Sequence, residues 1–186
     1  MVLLHDKRTG RINVLRPHST ALSAARILLR ILRVFNLIVA TWLVVAMPAS
    51  FFFEPQFFAF FSKKPPHIDP TWLIPVLRIW IVLALGMVAA VHVSLSRLLA
   101  VVETVRSGDP FVPENAVRLN TIAWCLLIVQ LLNLTFGMLA ATMNAAGSNI
   151  HWEFSATGWL AVVLLFVLAR VFEEGTQMRE DLGKMI

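Results

Sequence analysis

Residues 72–93 read WLIPVLRIWIVLALGMVAAVHV, and Arg78 is the only lysine, arginine or acid among them. A helix rises about 1.5 Å per residue, so about 20 apolar residues cross a hydrocarbon core. This stretch is long enough, and too apolar to face water on any side. Residues 122–143, IAWCLLIVQLLNLTFGMLAATM, repeat the pattern with no charge at all. Two more runs complete the set, 34–53 and 155–172. The expectation is an all-α chain: one membrane domain over 1–186, a four-transmembrane-helix bundle.

Composition agrees. The chain is 58% hydrophobic and only 15% charged, against about 25% charged in an ordinary soluble domain. Too few charges remain to coat a water-facing surface, so the lipid bilayer is the first partner. The net charge of +5 is topological and calls for no direct nucleic-acid contact. Thirteen lysines and arginines fall before the first span, between spans two and three, or near and after the end of the fourth, and two (Lys63, Lys64) fall in the first loop. Positive charge stays in the cytoplasm. The chain is therefore expected to be multi-pass in the cell inner (plasma) membrane, with both termini cytoplasmic.

Several helices outrun the bilayer. After Val93, apolar Leu95, Leu98, Leu99, Val102 and Val105 alternate with Ser96, Arg97, Glu103 and Arg106 at helical spacing, the mark of an amphipathic extension. Gly108 suits a left-handed helix end, and Asp109 and Pro110 turn the chain. Pro113 and Glu114 suit the first turn of the next helix. A cytoplasmic helical hairpin over 94–121 follows. Before the first span, Arg26, Arg30 and Arg33 share one face, where they meet phospholipid headgroups or an acidic partner surface.

The outer loop is rich in phenylalanine from Phe51 to Phe61. Pro55, Pro65, Pro66 and Pro70 are expected to break helical structure there, leaving an interfacial anchor or a ligand-binding lid. Arg78 is expected to snorkel outward, or to pair with Glu54, Asp69 or Glu153. Gln130 and Asn133 lie three apart in an apolar run, so hydrocarbon would leave them unsatisfied. They are expected to turn toward other helices as the polar interior of the bundle.

Signals for chemistry are missing. The five histidines offer no metal-ligand spacing, and no nucleotide-binding or nucleophile motif occurs. The reading is no enzyme, with no catalytic residue, no metal and no cofactor.

Two motifs resemble a known family. One is the turn Gly108, Asp109, Pro110, Phe111, Glu114 and Asn115, with Arg118 and Leu119 following. The other is the tail Phe172 and Gly175, with the acids Glu180 and Asp181 beyond. With four spans, these resemble the bacterial domain of unknown function 2975 family, small four-helix membrane proteins of no established activity. The tail departs from the family pattern at Gly183 and Lys184. The family's members are often encoded beside a small helix-turn-helix regulator. That implies an interaction or regulatory membrane protein whose cytoplasmic face binds a soluble partner. The alternative is a binder or transporter of a small apolar or amphipathic molecule. Oligomeric state is left open by the sequence.

Overall fold

The computed structural model describes residues 4–5, 12–13, 18–61, 70–145 and 149–184. Leu4–His5 (β1) pairs antiparallel with Ile12–Asn13 (β2). All other described elements are helices: α1 His18–Phe52, α2 Glu54–Phe61, α3 Pro70–Arg106, α4 Pro113–Ala145 and α5 Ala156–Lys184. Four of these, α1, α3, α4 and α5, are long and apolar enough to cross a membrane. The all-α expectation holds.

Neighbours in the chain are neighbours in space. Helix α1 packs on α3, α3 on α4, and α4 on α5, while α1 and α5 share no comparable contact among the described residues. The bundle is thus an open row with α1 and α5 at its edges. A polar or a small residue helps fasten the α1–α3 and α3–α4 seams, as expected where lipid removes the hydrophobic drive between helices. Asn36 Nδ2 on α1 donates to the Val88 carbonyl of α3 at 3.1 Å. Gly86 on α3 lets Leu132 of α4 approach so closely that a Cβ would lie 3.1 Å from its methyl. Between α4 and α5, buried Leu119, Ile122 and Ala169 form an apolar cluster with Leu165 and Phe172. Elsewhere large apolar side chains point outward; Trp42 is 70% exposed, the natural state of a lipid-facing surface.

The phenylalanine-rich segment departs from the sequence reading. Helix α2 forms across it, because Pro55 sits in the first turn, where its missing N–H removes no intrahelical bond. Pro70 likewise opens α3 instead of breaking a helix. The anchor-or-lid question rests on Phe57, Phe58, Phe60, Phe61 and residues 62–69, which lie outside the described side chains. Arg78 does not snorkel outward alone. Its guanidinium pairs with Glu54 at 2.5 Å, donates to the Ser50 carbonyl at 3.1 Å and lies 3.8 Å from the Phe51 ring centre.

Candidate functional site

The α3–α4 turn is built by a glycine stop. Gly108 has φ of 95°, a conformation open to glycine and strained for other residues. The Asp109 N–H donates to the Thr104 carbonyl and the Gly108 N–H to the Val105 carbonyl, each at 3.2 Å. These are the two bonds of a Schellman motif, and they satisfy carbonyls that the helix end leaves free. Pro110 then leads the chain away, and Pro113 restarts it as the first residue of α4, with exposed Glu114 in the first turn.

Asn115 locks this turn to the helix it leaves. Its side chain is completely buried. The amide nitrogen donates to Thr104 Oγ1 at 2.8 Å and to the Pro110 carbonyl at 2.9 Å. Its Oδ1 accepts from Arg118 Nη1 at 2.9 Å. The Asn115 side chain thus pairs with Arg118, one turn on in α4, and staples α3 to the turn. Thr104, its partner, was not singled out from sequence.

The tail meets the turn from the other side. Arg179 pairs with Asp109 and also donates to the Phe111 carbonyl at 3.2 Å. The Phe111 ring lies 5.4 Å from that of Phe172, tilted by 30°. A Cβ on Gly175 would lie 3.3 Å from the Phe111 ring, so a larger residue there would press on it. Both sequence motifs thus come together in space: Gly108, Asp109, Pro110, Phe111, Asn115 and Arg118 of the turn with Phe172 and Gly175 of the tail. Arg179, which completes the latch, was missed as a site residue. Phe111 is still 44% exposed.

Gln130 and Asn133 are not part of this cluster. They lie fifteen and eighteen residues further along α4, about 22–27 Å away. Gln130 is buried and covers Gly158 of α5, where a Cβ would fall 1.5 Å from its amide nitrogen. Asn133 Oδ1 accepts from Trp152 Nε1 at 2.9 Å. The Trp152 indole fills the notch left by Gly137, where a Cβ would lie 2.2 Å from the ring. Thr135 bonds back to the Leu131 carbonyl at 2.9 Å and stays exposed. It needs no partner outside α4, whereas Gln130 turns toward α5 and Asn133, expected to face another helix, meets the α4–α5 connection instead.

Among the described residues, no three of His, Cys, Asp and Glu gather as a metal site would require. Four membrane-length helices joined by an interlocked turn and tail define a multi-pass membrane protein. The family model described as "Protein of unknown function (DUF2975)" matches residues 64–186, covering both motifs, and the chain belongs to that family. No curated protein and no solved structure matches it.

Proposed function

We propose that this is an interaction protein of the inner membrane, with both termini cytoplasmic, whose turn and tail form a docking face for a soluble protein such as a small helix-turn-helix regulator. One observation carries the reading. The Asn115 staple and the Arg179 latch make a stiff platform, and it holds apolar side chains out in the open beyond the apolar runs. Phe111 is 44% exposed, Met178 66% and Leu182 61%. Met178 and Leu182 follow Gly175 by three and seven residues, so they share its side of α5. In water, exposed apolar groups clustered on a rigid face mark a protein contact. The cytoplasmic hairpin over 94–121 gives that face its projection.

A catalytic role has less support. The polar groups of the platform are engaged with one another: Asn115 with Thr104 and Arg118, Asp109 with Arg179. The small-molecule reading also has less support, since Trp152 occupies the Gly137 notch and uses the Asn133 carbonyl. A photo-crosslinking residue at Met178, activated in native membranes, tests the docking reading. A soluble protein should be captured, and Leu182→Glu should abolish the capture without altering the amount of membrane protein. Labelling of lipid alone, or capture indifferent to Leu182→Glu, contradicts it.

A further inference from the structure

The row of helices has two unlike edges. At one, the extension of α1 ahead of the first apolar run exposes Ile27, Leu28, Arg30 and Ile31, with Arg33 half-buried. Arg26 is held by Glu103 at 3.0 Å, but neither Arg30 nor Arg33 has an ion pair among the described residues. At the other edge a groove of about 560 Å³ opens between α4 and α5. Buried Ala116, Ala169 and Thr176 lie at its base beside Phe166, and Glu173 and Glu180 also line it. Arg170 in the groove wall is shared between Glu173 and Glu174, each at 3.0 Å. One guanidinium against two carboxylates, with Glu180 beyond, leaves the wall anionic.

Anionic headgroups are repelled by such a wall, while a cationic apolar helix fits it. The α1 extension has that chemistry, and it stands at the right depth. Arg33 lies one residue before the first apolar run and Glu173 one residue after the fourth, both on the side of the membrane that holds the α3–α4 turn. Within one copy the two cannot meet, because α3 and α4 stand between α1 and α5.

We propose that the α1 extension of one copy seats in the α4–α5 groove of a second copy, with Arg33 and Arg30 against Glu173 and Glu180. The contact joins unlike surfaces, so repetition closes a ring or continues as a chain in the membrane plane. It uses a different side of α5 from the docking face and does not depend on that reading.

Two differently tagged chains, both Cys125→Ser, test this when co-expressed. One carries Arg33→Cys and the other Glu173→Cys. Mild oxidation in membranes should give a disulfide-linked product bearing both tags. In chains with native cysteine content, Arg33→Glu should shift the complex extracted in mild detergent to monomer mass, and adding Glu173→Arg should restore it. Variants that melt like the parent but give no two-tag product, or a parent that is monomeric by native mass in mild detergent, would overturn the proposal. A two-tag product that forms equally well with cysteines placed at Trp42 and Leu160, side chains facing lipid, would reduce it to random collision and overturn it as well.

Discussion

Asn115 and Gly108 show how single positions govern the turn. Asn115 is buried with three polar partners, and replacing it by leucine removes the donor to the Pro110 carbonyl, while Thr104 and Arg118 fall back on the carbonyls of α3. Leaving a buried polar group unpaired costs about 1–3 kcal/mol, so Asn115→Leu should lower the melting temperature in detergent clearly. Gly108→Ala meets no steric obstacle, since nothing lies within 4 Å of its Cβ position. Its cost should be backbone strain alone, about 1 kcal/mol, and a parent-like melting curve would refute the left-handed turn. Gly108 was legible in sequence because glycine followed by Asp109 and Pro110 has a stereochemical reason to be there. The Asn115–Thr104 bond was not. It spans eleven residues across a turn, and its register depends on how tightly that turn closes.

At the scale of elements, the helices follow from hydropathy and period, while their seams follow from shape. Runs of about 20 apolar residues announce spans whatever they pack against. Which small residue faces which large one is invisible in a chain whose lipid-facing and buried side chains are equally apolar. Trp152 shows the gap. A tryptophan in a short connection carries no sign that it will fold back into a notch at Gly137, although Asn133 and Gly137, four apart, share the face that receives it. Trp152→Ala should empty that notch and free Asn133, at a cost of about 3–5 kcal/mol for a large aromatic removed from a packed site. Trp152→Phe should recover the packing and lack only the hydrogen bond. If the two variants melt alike, the indole is not seated as described. Arg78 gives a second case: its length permits both outward and inward poses, and the choice is made by Ser50 and Glu54, brought near by the α1–α2 corner.

For the whole molecule, the account joins an open row of four membrane-length helices to a polar, interlocked end. The class of fold was readable from composition and charge placement, because too few charged side chains leave no alternative to lipid. The order of packing, with α1 and α5 unjoined, was not, since a closed and an open bundle use the same spans. Everything proposed for the turn and tail requires that this end face the cytoplasm and the α4–α5 connection face outward. Single cysteines test that directly: Ser107→Cys beside the turn and His151→Cys in the connection, each in a Cys125→Ser background. With a membrane-impermeant maleimide on intact spheroplasts, His151→Cys should label at once, and Ser107→Cys only after the membrane is opened. Labelling of Ser107→Cys from outside, with His151→Cys protected until lysis, would contradict the account.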